Sequence, residues 1–593
     1  MSRPVSNKDC VYVFKRRKPN GVLYVIRRTQ RYNPETKRMD TISEVLVGKI
    51  LPDNPDKIVS TRPKKKSHKQ LVLENSDVSN SSEHSDSDNT LLANRQHIGA
   101  CQLLDHVAKL CGIEEDIYEL TDEGTAQKLI SCARFLVCTG GQRLSQIATW
   151  QIMHPIPYAD GLSKDICHRL TESLGIDETF RQSLFQRRFM RQPDGTLIIA
   201  FDGSTVSTYS KNQNEARYGY SKTKDGLPTI KWLALYASES CEPLAFTKQP
   251  GNVPDVVSVT NALSQLSVLT TKDIVLVADN GFYSDSNAYD MIIRDFGFLM
   301  RIEIGTNWIN TLFQKHLAEL ESSSCCCSDD GYVTGITIST IHTFCKVDSD
   351  GIAHYKRRKC YLHFFLDSRK RSSQNADINV KLNELMNQLN SGIPVQTLKK
   401  GSQKLADEYL ICTEDDKGQV KYSMNDEAIQ TLKKRNGIFA VVGYGPFEVV
   451  KDTQKAFTTY INREHIEDHF RAEKQTVDGD TVRSWYGDNY MGRMIIQFVA
   501  LCYEDCLWAC IRSIKKTLRD EINHSKAEGK NKVITEKRQR LLTWLNSTCL
   551  QDILSWFDAI EVFEVSSQIK NRRWNTETLE RDRMFLEYLG ITV

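Results

Sequence analysis

The segment YINREHIEDHFRAEK, residues 460–474, places polar and charged side chains at spacings that suit one face of an α-helix. At about 100° per residue, side chains three, seven and fourteen residues after Tyr460 return to within roughly 60° of its direction. The residues on this face are Tyr460, Arg463, Glu464, Glu467, Arg471 and Lys474. The pattern fits a solvated, salt-bridged surface helix, and it also fits a face turned toward a substrate.

Two aspartates follow runs of buried-strand character earlier in the chain. TLIIAF (196–201) leads directly into Asp202, and DIVLVA (273–278) leads directly into Asp279. An aspartate at the carboxyl end of a strand is well placed to point into a crevice above the sheet. Aspartate is also a common turn residue, so either one alone fits a structural role.

A third carboxylate changes the balance between these interpretations. Glu467 lies on the helix that follows another strand, beside Arg463 and Lys474. Two aspartates and a glutamate supply the hard oxygen ligands that Mg²⁺ or Mn²⁺ requires. Three carboxylates can bridge two ions, which assist the attacking and leaving oxygens of a phosphodiester displacement. The neighbouring cations would then meet the DNA backbone.

These residues carry a resemblance to a known family. The spacing Tyr460-x2-Arg463-x3-Glu467-x6-Lys474 resembles the Y-R-E-K signature of a large group of bacterial insertion-sequence DDE transposases. FDGSTVS, which contains Asp202, and VADNGFYS, which contains Asp279, resemble the blocks that hold that group's first two catalytic aspartates. The similarity covers about residues 195–500.

The resemblance implies a fold, a site and a reaction. It implies an RNase H-like catalytic domain, interrupted between the second Asp and the Glu by a mainly β insertion. The catalytic and metal-binding residues would be Asp202, Asp279 and Glu467, holding two Mg²⁺ ions for which Mn²⁺ can substitute. The phosphate would be held by Tyr460, Arg463 and Lys474, with Arg471 as a further candidate. Outside the resemblance, Trp308 in the insertion is a candidate for stacking on an unpaired base, but ordinary packing is the favoured interpretation of this residue.

The positions of strands and helices place this site in an α/β domain. Buried-strand runs at 196–201, 230–237, 243–249, 273–278 and 297–302 alternate with helical patterns and indicate a mixed sheet. GIFAVV (437–442) resumes the strand pattern after a long polar stretch with the cluster Cys325–Cys327, for which we have no functional assignment.

The ends of the chain differ from this centre. Residues 1–70 hold 18 Lys and Arg against 6 Asp and Glu, which favours a polyanionic partner. We predict a small basic β unit that binds DNA (1–70), a disordered linker (71–96), a helical DNA-binding region (97–192), a catalytic domain in two parts (193–304 and 437–487), an insertion (305–436) and a C-terminal helical region (488–593). The fold class is therefore multi-domain α+β and α/β.

The predicted function is that of an insertion-sequence transposase that cleaves and joins DNA at terminal inverted repeats. The predicted partner is double-stranded DNA, at element ends and target, bound by a homodimer; no membrane and no nucleotide cofactor are expected. Seventeen cysteines without framework spacing indicate a reducing compartment, and we expect a cytoplasmic, nucleoid-associated protein. The alternatives are a metal nuclease on the same fold that lacks strand transfer, and an inactive DNA-binding derivative.

Overall fold

The computed structural model describes two compact units. The described residues are 10–17, 23–33, 38–51, 54–59, 92–219, 225–270, 272–414, 420–464, 466, 481–482, 486–528, 532–566, 571–576 and 578–591. One unit comprises residues 1–87 with 159–161, and the other comprises 88–158 with 162–593.

The first unit contains a four-stranded antiparallel sheet, and its strands lie in the sheet in the same order as in the sequence. The strands are β1 (Cys10–Arg17), β2 (Leu23–Asn33), β3 (Arg38–Leu51) and β4 (Asn54–Val59). Val25 and Ile50 are buried in this sheet. The short apolar pieces separated by turn residues predicted such a β unit, and residues 60–70 of that prediction lie outside the described residues.

The second unit begins with one strand and six helices. They are β5 (Leu92–His97), α1 (Gly99–Cys111), α2 (Ile113–Leu120), α3 (Glu123–Thr139), α4 (Ile147–Trp150), α5 (Lys164–Ile176) and α6 (Glu178–Met190). The predicted linker 71–96 was wrong at its end, because residues 92–97 form a strand. Its hydrogen-bonding partner lies near the carboxyl end of the chain, which local composition does not reveal.

A mixed sheet forms the centre of this unit. Its first five strands are β6 (Leu197–Thr208), β7 (Thr229–Ala237), β8 (Glu242–Pro250), β9 (Ile274–Ala278) and β10 (Gly297–Ile302), with helices α7 (Asp255–Leu269) and α8 (Asp285–Ile293) before β9 and β10 respectively. β6, β7 and β8 are antiparallel to one another, whereas β9 runs parallel to β6, and β10 runs parallel to β9. The carboxyl ends of β9 and β10 therefore point the same way as β6.

The insertion, 305–436, contains more helix than the mainly β composition expected of it. Its elements are α9 (Asn307–Leu320), β11 (Val333–Val347), β12 (Ala353–Asp367), α10 (Ser368–Asn390), α11 (Lys400–Tyr409), β13 (Leu410–Glu414), β14 (Val420–Met424) and α12 (Asp426–Arg435). The long hairpin β11–β12 belongs to the central sheet, because β12 pairs with the strand that follows the insertion. The helices occupy the polar remainder, where good helix formers such as Lys, Gln, Leu and Glu are frequent.

The sheet and the chain are completed by the elements after residue 437. They are β15 (Ile438–Tyr444), α13 (Thr453–Asn462), β16 (Thr481–Val482), α14 (Gly487–Glu528), α15 (Lys532–Ser547), α16 (Leu550–Asp558), β17 (Glu561–Ser566), β18 (Asn571–Asn575) and α17 (Glu580–Tyr588). The sheet order is β11-β12-β15-β10-β9-β6-β7-β8, with β16 paired to β6. A mixed sheet with this order and covering helices confirms the fold class and is consistent with an RNase H-like domain.

The helix α14 is the main core element of the carboxyl-terminal region. Its length and composition would suffice to cross a membrane, but 83% of its most apolar window is buried within the protein. It packs on α5, α3 and α15, and its inward side chains include Ile495, Val499 and Leu507. We interpret α14 as a core helix that joins the sheet to the helical regions at both ends of the unit.

Candidate active site

Asp202 and Asp279 lie at equivalent positions relative to two adjacent parallel strands. The register of β6 and β9 pairs Ala200 with Val277, and each aspartate lies two residues further along the chain, Asp202 within β6 and Asp279 directly after β9. Neighbouring strands are about 4.8 Å apart, so the two backbones carry their carboxylates side by side.

The edge of β6 opens at this position. Parallel pairing with β9 stops at Ala200, whereas β16 pairs with the same edge at Ser207 and Thr208. Asp202 lies between these two points, in a strand that continues to Thr208 rather than ending at the aspartate as the sequence predicted. Among the described strands, none pairs with this edge of β6 between Ala200 and Ser207.

The face of the sheet that carries both aspartates is covered by α13. Side chains alternate between faces, so Asp202 shares a face with Ala200, and Asp279 shares one with Val277. Val277 packs in one cluster with Tyr460 of α13. Residues 456–461 therefore lie over the strands that present the carboxylates.

Tyr460 is joined directly to Asp279. Its buried hydroxyl donates a hydrogen bond of 3.2 Å to Oδ1 of Asp279, across 181 positions of the sequence. Burial, together with the Asp279 charge, raises the pKa of Tyr460 to about 12, so the phenol stays a donor at neutral pH. The guanidinium of Arg463, also buried, lies 5.4 Å from the centroid of the Tyr460 ring.

Arg301 of β10 extends the row of polar side chains. The register of β9 and β10 ends at Ala278 and Met300, so Arg301 is the next neighbour of Asp279. Nη1 of Arg301 lies 3.9 Å from Oδ1 of Asp279, and both side chains remain about 40% exposed. Oδ1 also accepts a 2.8 Å bond from the backbone N–H of Asn280. Within the described ranges no hydrogen bond reaches Oδ2 of Asp279.

The helical face predicted for 460–474 is interrupted by a turn at Arg463, and Glu464 and Ile466 beyond it are again helical. α13 ends at Asn462, where the N–H of Arg463 bonds to the Tyr460 carbonyl at 3.2 Å, and the N–H of Ile466 bonds to the Arg463 carbonyl at 3.0 Å. These three-residue spacings tighten the turn, and Tyr460, Arg463 and Ile466 are all buried, so tertiary packing rather than helical periodicity decides the local geometry. Glu464 is exposed. Glu467, Arg471 and Lys474 lie outside the described residues.

Ile466 is packed beside the first aspartate. It belongs to one apolar cluster with Ala200, Ala234 and Tyr236. Ala234 is the direct cross-strand partner of Asp202. The chain is therefore held next to Asp202 at residue 466.

Comparison of the sequence with protein families assigns this part of the chain to a family. The family described as Transposase DDE domain matches residues 193–503, just over half of the chain. The chain belongs to the transposase DDE domain family. The matched range contains Asp202, Asp279, Tyr460, Arg463 and the β11–β12 hairpin.

Other comparisons of this transposase domain protein add little. A cryo-EM structure of a piggyBac transposase synaptic complex with hairpin DNA aligns over 83% of this chain and 82% of that chain, with 9% sequence identity and a TM-score of 0.29. That score carries no structural conclusion. A search of curated proteins gave no match.

A buried histidine anchors α13 to the sheet of the transposase domain. Nδ1 of His363 in β12 lies 2.7 Å from the Thr337 hydroxyl, which lies 2.7 Å from the hydroxyl of Thr453, the first residue of α13. Nε2 donates to the Val450 carbonyl at 3.2 Å, and burial lowers the pKa of His363 to about 4. Gly443 leaves room for this contact, because a Cβ there would lie 3.1 Å from the Val450 carbonyl oxygen.

Trp308 packs within the transposase domain. Its indole stacks on the His342 ring, with centroids 4.3 Å apart and planes 19° from parallel. His342 in turn lies 3.2 Å from a carboxylate oxygen of Asp285. One face of the indole is thus covered by protein, which favours the packing interpretation over the base contact.

Sequence reasoning missed an exposed basic arm of the transposase domain. On the amino-terminal side of Tyr361, β12 pairs with β11 but not with β15. Residues 340–347 and 353–360 therefore form the outer part of a hairpin. Arg357, Arg358 and Lys359 are exposed there. The basic run KRRK at 356–359 was the available signal, but the polar character of this segment hid the strand.

Alternation places part of this arm on the same face as the aspartates. His363 and Phe365 of β12 contact the α13 side of the sheet, and Arg357 and Lys359 have the same parity along the strand. Tyr355, also of this parity, is 65% exposed. The arm therefore extends the carboxylate face with positive charge.

Proposed function

We propose that this protein is the DNA transposase of an insertion sequence. In this proposal it binds the terminal inverted repeats and carries out metal-dependent strand cleavage and strand transfer. The observation that carries the proposal is the pair Asp202 and Asp279, at equivalent positions on adjacent strands beside an open sheet edge. Membership of the transposase DDE domain family supports it.

The donor set fits divalent metal ions. Asp202 and Asp279 are partly exposed, and all donors are hard oxygens, as Mg²⁺ or Mn²⁺ prefers. Oδ1 of Asp279 accepts hydrogen bonds from Tyr460 and Asn280, and among the described residues none donates to its other oxygen. Two bound ions would supply Lewis acidity to the scissile phosphate.

Glu467 is the proposed third carboxylate. It follows Ile466, which packs with Ala200 and Ala234 around Asp202. This packing supports an approach of the chain to the metal-binding aspartates at this point. The spacing from Tyr460 and Arg463 in the sequence supports the same assignment.

The remaining residues of the site position the carboxylates and the DNA. Tyr460 holds Asp279 in one orientation, and Arg463 borders the phenol. Because Arg463 is only 7% exposed, its burial suits this positioning role better than an open phosphate contact. Arg301, being more exposed, is available for a backbone phosphate, as are Arg471 and Lys474 in the proposal.

Duplex DNA is the proposed partner. The exposed side chains of Arg357 and Lys359 lie on the carboxylate face, and residues 1–70 carry a net excess of 12 positive charges over acidic ones. Basic surfaces of this kind bind phosphates by releasing counterions. We propose that two copies pair the two ends of the element in a homodimer and that the protein acts in the cytoplasm at the nucleoid.

Cleavage of the element's own DNA tests the proposal. A labelled duplex carrying the sequence that flanks this gene is incubated with protein and Mg²⁺, Mn²⁺ or chelator, and Glu467→Gln serves as the comparison. We expect a metal-dependent nick at a fixed position, absent in the variant, and then joining to a second DNA. Nicking without joining would identify a nuclease, and binding without cleavage under either ion would contradict the enzymatic proposal.

A further inference from the structure

A second group of potential metal ligands lies outside the central sheet, where the two ends of the second unit meet in the pairing of β5 with β17. His97 ends β5, His154 follows α4, and Asp558 ends α16. Each residue offers one donor atom, and these three atoms all lie within 4.8 Å of one another. Glu561, the first residue of β17, borders the group, with a carboxylate oxygen 3.5 Å from Nε2 of His97.

Both imidazoles are fixed in the same tautomer by backbone carbonyls. Nδ1 of His97 lies 2.8 Å from the carbonyl oxygen of Asp558, and Nδ1 of His154 lies 2.7 Å from that of Trp150. A carbonyl only accepts hydrogen bonds, so each Nδ1 carries a proton, and each Nε2 of a neutral ring presents a lone pair. Metal-binding histidines are commonly oriented this way, with the second nitrogen bonded to a carbonyl or carboxylate.

The lone pairs point at carboxylates. Nε2 of His154 lies 3.1 Å from Oδ2 of Asp558, although a neutral imidazole and an ionised carboxylate would both be acceptors there. Oδ1 of Asp558 is buried and has no hydrogen-bond partner among the described residues. A metal ion between these groups would accept the lone pairs of both imidazoles and pair with the Asp558 carboxylate at the same time.

The two imidazole rings of the cluster are stacked on each other. Their centroids lie 5.2 Å apart and their planes are 22° from parallel. His154 is also sandwiched against Trp150, at a centroid distance of 4.0 Å, and its side chain is only 8% exposed. Glu561 is paired with Arg95, which already neutralises that carboxylate.

We propose that His97, His154 and Asp558 bind a structural Zn²⁺ ion that fastens the amino-terminal part of the second unit to its carboxyl-terminal part. Two imidazoles and one carboxylate form a three-ligand set that zinc accepts, with Glu561 or water in the fourth position. Zinc with donors at about 2.1 Å brings them to about 3.4 Å apart, so binding draws the three side chains inward and tilts the stacked rings.

The site would stabilise a junction that closes a long loop of chain. His97 and Asp558 are 461 positions apart, and their segments also meet in the antiparallel pair β5–β17. Metal affinity becomes folding stability when the unfolded chain lacks the site. This inference does not rest on the proposed function, because it concerns a different set of ligands.

Zinc content and thermal stability of the full chain test the proposal. Protein is freed of metal by chelator, supplied with Zn²⁺ and desalted, and retained zinc is measured by mass spectrometry. The wild type and Asp279→Asn, which disables the carboxylate site, should each retain about one ion that His154→Gln loses. Zn²⁺ should raise the Tm of the first two proteins by about 2 °C or more and leave that of His154→Gln unchanged.

Two further variants separate this site from other zinc ligands. His316→Gln is the matched control, since His316 faces a single carboxylate, Glu319, at 3.0 Å, and it should retain zinc. Asp558→Asn should lose zinc like His154→Gln, which assigns the ion to this cluster rather than to the cysteines. The proposal is overturned if chelation and Zn²⁺ leave the wild-type Tm unchanged. It is also overturned if His154→Gln and Asp558→Asn retain zinc. The first result uses the wild type and the second uses two variants, so neither depends on how well one variant folds.

Discussion

Asp202 and Asp279, 77 residues apart in the sequence, occupy equivalent positions two residues beyond the last registered pair of two parallel strands. The relationship follows from the register alone, and it places the two carboxylates side by side at a gap between β9 and β16. The Tyr460 hydroxyl, 181 positions after Asp279 in the sequence, donates a hydrogen bond to the Asp279 carboxylate. The proposed mechanism rests on this arrangement, and each contact in it can be removed separately.

Removing the Tyr460 hydroxyl should impair catalysis more than folding. Tyr460→Phe keeps the buried ring and deletes the hydrogen bond to Asp279, and a bond to a charged group contributes about 1.5–3 kcal/mol. We expect DNA cleavage to slow roughly 10- to 100-fold, while DNA binding changes little and the Tm falls by only a few degrees, about 2–4 °C per kcal/mol lost at most. Tyr444→Phe, which alters a ring stacked on Phe298 in the same sheet, is the matched control. Equal rates for Tyr460→Phe and the wild type would show that the hydroxyl does not position Asp279.

Acid should destabilise the anchor of α13 through His363. The pKa of about 4 in the folded protein lies below the ordinary 6.5, so between these values the unfolded chain holds a proton that the native imidazole does not. The stabilisation is fully present above pH 6.5 and decreases as the pH falls toward 4, by up to about 3 kcal/mol.

Thermal unfolding measured from pH 7 to pH 4.5 checks this prediction. His363→Gln should be less stable at pH 7 and should lose less Tm on acidification than the wild type. His354→Gln, which changes an exposed histidine paired with Asp348, should follow the wild-type pH dependence. Parallel curves for His363→Gln and the wild type would assign the acid sensitivity to other groups.

The basic arm should determine part of the salt dependence of DNA binding. The double variant Arg357→Gln with Lys359→Gln removes two exposed charges from the carboxylate face. If each contacts one phosphate of duplex DNA, the slope of log K against log salt should decrease by about 1.8. The charge-retaining pair Arg357→Lys with Lys359→Arg should keep the slope. An unchanged slope in the glutamine variant would remove this arm from the DNA interface.

Sequence patterns predict the individual residues of the site better than the contacts between them. Buried-strand runs predicted β6, β9, β10 and β15, because continuous apolar residues mark strands covered on both faces. Asp202 and Asp279 were found for the same reason. Their mutual register was not predictable, since it depends on pairing between segments 77 residues apart.

Contacts at long sequence separation account for what sequence reasoning missed. Arg301 has no distinguishing signal in the sequence, because its contact with Asp279 depends on the pairing of β9 with β10. His97 and His154 carried no motif, because their partner Asp558 is more than 400 residues away. The 460–474 helix was predicted from periodicity, whereas burial of Arg463 and Ile466 shapes the turn after Asn462.

Replacement of the Asp279 carboxylate by a thiolate tests the central proposal most directly. Asp279→Cys is assayed for nicking of the element's end DNA with Mg²⁺ and with Mn²⁺, beside wild type and Asp194→Cys, which changes an exposed residue before β6. Mg²⁺ is the harder ion and binds thiolate poorly, whereas Mn²⁺ accepts it better. We predict a loss of more than about 100-fold in Mg²⁺ and recovery of about 10-fold or more in Mn²⁺, with Asp194→Cys active in both. Full activity of Asp279→Cys in Mg²⁺ would contradict a metal-binding role for Asp279 and, with it, the proposed mechanism.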